Sequence, residues 1–83
     1  MNITFKLFAG LSAFLPNSAE KNAVVLEVPE SSSMNDLIDM HKIPREEVHL
    51  ILINGSPTQY SERHNSILKE GDTVAMWPPV AGG

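Results

Sequence analysis

Alternating apolar and polar positions predict two strands in the first third of the chain. The alternation covers residues 3–8, where Phe8 falls on the face opposite the core. The core-facing positions of this strand are Ile3, Phe5 and Leu7. A second alternating segment covers residues 23–28 and is closed by Pro29. The intervening residues 9–22 mix turn formers with a small apolar patch, which predicts a short helical turn and a loop.

A helical period follows the second strand. Ser33 and Asp36 have the spacing of a capping box, which marks a helix start. Apolar residues then recur at the i, i+3, i+4 and i+7 positions of a buried stripe. The stripe consists of Met34, Leu37, Ile38 and His41. Pro44 ends this helix and can open a second short turn.

The second half of the chain is predicted to be mainly strand and turn. A nearly continuous apolar run over residues 48–53 is bounded by Asn54-Gly55, as expected for an interior strand that runs into a tight turn. A brief strand is predicted around residues 58–59. The mostly polar stretch 60–68 is predicted to be irregular, with its apolar pair directed inward. That pair is Ile67 and Leu68.

A turn at residues 70–72 and an apolar strand at residues 73–77 complete the pattern. The order of elements predicts an α+β fold, in which one main helix packs on one face of a mixed sheet of four to five strands. We expect the first and last strands to be parallel at the centre of the sheet. The folded domain should cover residues 1–77, with an extended tail over residues 78–83.

The tail has a composition suited to entering another protein. Two prolines cannot donate to a sheet ladder, so the strand must end before them and the remainder reaches about 20 Å. The tail is Pro78, Pro79, Val80, Ala81, Gly82 and Gly83, without a charged side chain. Adenylation would give a terminal carboxylate a good leaving group, and residues without a β-carbon can thread a narrow channel. The sequence therefore predicts that the carboxyl group of Gly83 is the working group.

Composition and charge narrow the function further. The chain has 83 residues, ten acidic against six basic side chains, a net charge of −4 and no cysteine. A domain of this size is too small for a deep cleft, which argues against a self-sufficient enzyme. The acidic balance argues against nucleic acid, and the absence of cysteine excludes disulfides and thiolate chemistry. No apolar run has the length of a membrane span, so we expect a cytoplasmic protein with no membrane partner.

Two aromatic side chains are candidates for a docking surface. Phe8 and Trp77 both fall on the non-core parity of strands that we expect to be neighbours, so they should meet at the root of the tail. The histidines, in contrast, show no metal-ligand spacing, and we expect no metal site. They are His41, His49 and His64.

Residues 70–83, EGDTVAMWPPVAGG, resemble the C-terminus of the small, sulfur-carrying subunit of molybdopterin synthase. That family typically has a Gly-Asp turn, an apolar strand, Phe-Pro-Pro-Val and a final Gly-Gly. Residues 6–9, KLFA, are similar to its first strand. The resemblance implies a ubiquitin-like β-grasp fold. It also implies that Gly83 is adenylated by a ubiquitin-activating-type adenylyltransferase that uses ATP, with no cofactor bound by the carrier itself.

The adenylated glycine would then become a thiocarboxylate and enter the large synthase subunit, where its sulfur builds the dithiolene of molybdopterin. On this reading the chain is a small subunit or protein cosubstrate, and the Phe8 and Trp77 pair contacts the large subunit. Residues 43–50 are closer to the wider sulfur-carrier group that includes the thiamine-pathway carrier. A ubiquitin-like protein modifier and a non-covalent interaction module are the remaining alternatives.

Overall fold

The computed structural model describes residues 1–63 and 67–79, apart from the side chain of Tyr60. One main helix and a five-stranded sheet form the fold, as the sequence predicts. The strands are β1 Asn2–Leu7, β2 Ala23–Glu27, β3 Leu50–Ile53, β4 Ser56–Pro57 and β5 Thr73–Trp77. The main helix is α1 Met34–Met40, and short 3₁₀ helices cover Ala9–Phe14, Arg45–Glu47 and Tyr60–Glu62.

The sheet is mixed, with the strand order β2-β1-β5-β3-β4. The first and last strands pair in parallel, whereas the other pairs are antiparallel. This central parallel pair confirms the prediction made from the sequence. Because β1 and β5 run in the same direction, the end of β1 and the root of the tail lie at the same end of the sheet.

The core lies between the sheet and α1. The core-facing side chains of β1 are at most 1% exposed, and the apolar stripe of α1 is completely buried except at His41, which is half-buried. The helix begins at the predicted capping box: the Ser33 side chain accepts from the backbone N–H of Asp36, and the Asp36 carboxylate accepts from the backbone N–H of Ser33. The predicted α+β architecture, with one main helix on one face of a mixed sheet, is therefore confirmed.

Three local predictions need correction. The short strand is β4, two residues earlier than predicted, because the tight turn at Asn54-Gly55 pairs Ile53 directly with Ser56. Leu68 is buried as predicted, but Ile67 is 52% exposed, since adjacent residues of an extended segment point in opposite directions. The apolar run also forms a strand only from Leu50, whose side chain is 39% exposed on the face away from α1. Within residues 1–63 and 67–79, no helix is long and apolar enough to cross a membrane.

Candidate functional site

The two predicted aromatic residues stack on each other at the root of the tail. The ring centroids of Phe8 and Trp77 are 4.6 Å apart, and the ring planes differ by 9°. The parallel register places Leu7 beside Met76, and the backbone N–H of Phe8 donates to the carbonyl of Met76 at 3.1 Å. Phe8 and Trp77, the next residues along the two chains, therefore project from the same face of the sheet, away from α1. Both aromatic side chains are half-buried.

The backbone after Phe8 holds this ring in place. Ala9 has a φ of 52°, a left-handed conformation that turns the chain sharply out of β1. The chain then forms a 3₁₀ helix in which the N–H of Leu11 donates to the carbonyl of Phe8 at 3.1 Å. The Leu11 side chain is 2% exposed and anchors this helix in the core. Phe8 therefore sits between two fixed segments.

The Trp77 ring is fixed by β3 and the residue before it, on the side of β5 away from β1. The carbonyl of Trp77 accepts a hydrogen bond from the N–H of His49 at 2.9 Å, just before β3 begins. Trp77 is also in register with Leu50, so the apolar surface continues from the aromatic pair onto β3. We call the surface formed by Phe8, Trp77 and Leu50 the root patch. It lies on the face of the sheet that α1 does not cover.

A largely apolar groove borders the root patch where the tail leaves the domain. Its volume is about 550 Å³. Its walls include Ala9, His49, Leu50, Trp77, Pro78 and Pro79. Pro78 is half-buried in this groove and Pro79 is exposed, so the chain is already leaving the domain there. The remaining predicted tail residues, Val80, Ala81, Gly82 and Gly83, lie outside the described residues.

A buried arginine, which the sequence pattern does not predict, stabilises the segment beside the root patch. Arg63 is 2% exposed, and its guanidinium donates to the carbonyls of Val48 at 2.7 Å and His49 at 2.8 Å. The N–H of His49 donates to the carbonyl of Trp77, so Arg63 holds the same segment that fixes Trp77. An arginine inside a polar, irregular stretch has no periodic signal, so only the unusual burial of a charged side chain reveals its role.

Other candidate chemistry is scattered. The ring of His41 lies 4.7 Å from that of Phe5, and its Nδ1 is 2.9 Å from the carbonyl oxygen of Leu37, so it is a packing and capping residue. His49 lies at the groove, and His64 is outside the described residues. In the part of the chain that the structure describes, no three histidine or carboxylate side chains are grouped closely enough to hold a metal.

One exposed ion pair ties α1 to the following 3₁₀ helix. The guanidinium of Arg45 donates to both carboxylate oxygens of Asp39, at 2.7 and 3.0 Å. The hydrogen bond from Arg45 lowers the pKa of Asp39 below its ordinary value of 3.8, and the positive charge acts in the same direction. This pair lies on the helix side of the sheet, so it has no part in the root patch.

Solved structures with the same fold cover nearly the whole chain. Small archaeal modifier protein 1 (SAMP1) from Haloferax volcanii is 22% identical, with a TM-score of 0.66 and 100% of both chains covered. A complex of subunits 1 and 2 of the molybdopterin-converting factor from Helicobacter pylori contains a chain that is 18% identical, with a TM-score of 0.60 and 100% of both chains covered. Urm1 from Trypanosoma brucei is 18% identical, with a TM-score of 0.68, covering 99% of this chain and 95% of that one.

At these identities the similarity establishes the fold, and at that level it confirms the expected resemblance to the small molybdopterin synthase subunit. A comparison with curated protein sequences gives no match. A family model described as Mut7-C ubiquitin matches residues 1–82. The chain therefore belongs to the Mut7-C ubiquitin family and has the ubiquitin-like β-grasp fold.

Proposed function

We propose that this protein is a sulfur carrier that delivers sulfur from a thiocarboxylate formed at Gly83. The observation that carries the proposal is the stacked pair of Phe8 and Trp77, which places an apolar patch directly where the tail leaves the sheet. An aromatic anchor at the root of a tail fixes the tail's starting point and direction when a partner docks. The partner's active site can then receive the far end of the tail.

The proposed chemistry uses the main chain and needs no cofactor held by the domain. The carboxylate of Gly83 attacks the α-phosphorus of ATP in the activating enzyme, forming an acyl adenylate and releasing pyrophosphate. Hydrosulfide supplied by a sulfur donor then attacks the acyl carbon, and AMP leaves with the electron pair of the broken C–O bond. The product is a thiocarboxylate, whose formation requires Gly83 to carry the free α-carboxyl group.

The proposed partners are a ubiquitin-activating-type adenylyltransferase and a sulfur-accepting synthase subunit. The Helicobacter pylori structure of similar fold is a complex of two molybdopterin-converting factor subunits, which supports a partner of the second kind. The root patch offers both partners the same apolar anchor, while the groove of about 550 Å³ beside it can receive a partner side chain. Binding of the two partners is therefore expected to be mutually exclusive.

Among carrier pathways we propose molybdopterin, or the related tungsten cofactor, over thiamine. Trp77-Pro78-Pro79-Val80 resembles the tail of the synthase subunit, whereas the thiamine carrier generally lacks the double proline. Two consecutive prolines make a stiff, donor-free spacer, and an acceptor channel must accommodate a straight segment at that depth.

The test of the pathway supplies the thiocarboxylated protein to two acceptors in parallel. One reaction contains a molybdopterin synthase large subunit and its cyclic pterin precursor, and the other contains a thiazole synthase. We expect product in the first reaction only. Product in the thiazole reaction alone would overturn the pathway while leaving the carrier chemistry in place.

A ubiquitin-like protein modifier is the second candidate, supported by the fold similarity to SAMP1. It would use the same activated Gly83 but transfer the acyl group to a lysine amine, so isopeptide conjugates in cell extracts would distinguish it. A non-covalent interaction module would use only the root patch. Deleting Gly82 and Gly83 would leave the function of such a module intact and abolish that of a carrier.

A further inference from the structure

The strand β2 forms one edge of the sheet, and part of its outer side is open. Val28 and Met1 exchange backbone hydrogen bonds at 2.8 Å, and the N–H of Leu7 donates to the carbonyl of Asn22 at 3.1 Å. Hydrogen-bonded pairs alternate along an antiparallel ladder, so the backbone groups of Val25 and Glu27 point away from β1.

Two residues of this edge have outward backbone groups with no hydrogen-bond partner among the described residues. The outward groups of Ala23 are already bonded to Glu20, at 2.9 Å in each direction. No such bond reaches the outward N–H and carbonyl groups of Val25 and Glu27 from any described residue. The Val25 side chain is 69% exposed, more than any other large apolar side chain that the structure describes. The edge therefore combines open backbone groups with an exposed β-branched side chain.

The opposite edge of the sheet is protected. The strand β4 has two residues, and one of them is Pro57, which has no N–H to offer. β2 has five residues with no proline, and its protection is the charge of Glu27. A charge of one sign blocks pairing with acidic or neutral strands but attracts a basic one.

At the open pair itself, the charged side chain is acidic. The side chain of Glu27 lies on the same face as that of Val25, two residues further along the strand. Beyond the end of β2, a cavity of about 380 Å³ has Glu30, Asp36 and Asp39 in its wall, and of these Asp39 is paired with Arg45. Two copies of a chain with a net charge of −4 would repel each other across this edge. The complementary occupant is a basic segment of another protein.

We propose that the β2 edge binds an extended basic segment of a partner protein by strand addition. In antiparallel pairing, a partner residue opposite Val25 makes two backbone hydrogen bonds, and the residue two positions before it makes two with Glu27. The segment therefore has an apolar β-branched residue preceded, two positions earlier, by lysine or arginine. This surface is separate from the root patch, so both can be occupied at once.

The experiment uses the capped peptide Lys-Thr-Lys-Thr-Ile-Thr and the full isotope-labelled chain. We expect the amide chemical shifts of Val25 and Glu27 to move on titration and to yield a dissociation constant. Val25→Pro removes only an outward N–H, which edge strands tolerate, and should weaken binding about tenfold. Val25→Thr keeps the N–H and the β-branch and is the matched control. Melting scans of both variants establish that they fold.

A charge swap provides a test that does not depend on proline. Glu27→Lys should weaken binding of the basic peptide and bind the same peptide with glutamates in place of lysines. Unchanged affinity in both Val25→Pro and Glu27→Lys would overturn the proposal. Chemical-shift changes confined to the root patch would also overturn it. If the protein alone sediments as a dimer and Val25→Pro dissociates that dimer, the edge binds a second copy of the chain and the proposal is wrong. Val25→Pro should leave sulfur loading of Gly83 unchanged, which separates this surface from the carrier function.

Discussion

At the scale of single residues, the site depends on side chains that lie on the side of the sheet opposite the helix. Phe8 and Trp77 meet because the parallel register of β1 and β5 brings the residue after β1 beside the last residue of β5. Neither ring is needed to fill the space between the sheet and α1, which is occupied by other buried apolar side chains. Their half-exposed stack is therefore available to a partner.

Truncating either ring should weaken partner binding much more than it weakens the fold. Phe8→Ala and Trp77→Ala should each raise the dissociation constant for the activating enzyme or the synthase subunit by about 30-fold or more, as expected for aromatic anchors. The free energy of unfolding should fall by about 1 kcal/mol, because only a half-exposed stack is lost. Calorimetry gives the affinity and a melting scan gives the stability.

Phe14→Ala is the matched control, since Phe14 is a half-buried ring that packs against the core instead of the open face. It should lose stability and keep its affinity. Unchanged affinity in Phe8→Ala and Trp77→Ala, together with a collapse in stability, would show that both residues belong to the core and that the patch does not exist.

Replacing Arg63 should destabilise the fold. Arg63→Met removes both donors to the carbonyls of Val48 and His49. Buried acceptors without partners are costly, so the free energy of unfolding should fall by about 2–3 kcal/mol in urea denaturation. The exposed Arg45→Met should change it by less than about 1 kcal/mol. Equal stability of Arg63→Met and the parent protein would contradict this role.

At the scale of elements, the sequence predicts best the helix and strand boundaries that a short local motif marks. The capping box of Ser33 and Asp36 set the helix start, and the turn residues Asn54-Gly55 set the end of β3. β4 lies two residues earlier than predicted, because the two-residue turn at Asn54-Gly55 pairs Ile53 directly with Ser56. The burial of Arg63 depends on contacts with residues 14 and 15 positions away, which no local pattern contains.

The junction between α1 and the next 3₁₀ helix should show acid sensitivity. Because the pKa of Asp39 is lowered in the folded state, its pairing with Arg45 stabilises the protein above pH 3.8 and is lost as the pH falls through the folded value. Asp39→Asn should therefore be less stable than the parent protein at neutral pH. The gap should close when denaturation is repeated in acid.

The control for that series is Glu46→Gln, which removes the same charge from a side chain with no ion-pair partner among the described residues. Its stability difference from the parent at neutral pH should be smaller than that of Asp39→Asn. A gap for Asp39→Asn that stays constant from neutral pH to strong acid would exclude the ion pair as its cause.

At the scale of the whole molecule, the fold separates the buried core from the exposed aromatic surface. α1 and the core occupy one face of the sheet, while the root patch lies on the other face, at the end of the sheet where the tail starts. Pro78 and Pro79 end the ladder, so changes beyond them should leave the fold unaffected. The chemistry and the stability of this protein can therefore be tested independently.

The intact mass of the protein after incubation with an activating enzyme, ATP and a sulfur donor shows directly whether Gly83 becomes a thiocarboxylate. We expect a mass increase equal to the exchange of one oxygen for one sulfur atom, confined to Gly83. Deleting Gly83 or adding one residue after it should abolish this increase without changing the melting temperature. An unchanged mass for the parent chain, or the same increase in the extended variant, would show that Gly83 is not the sulfur-carrying residue.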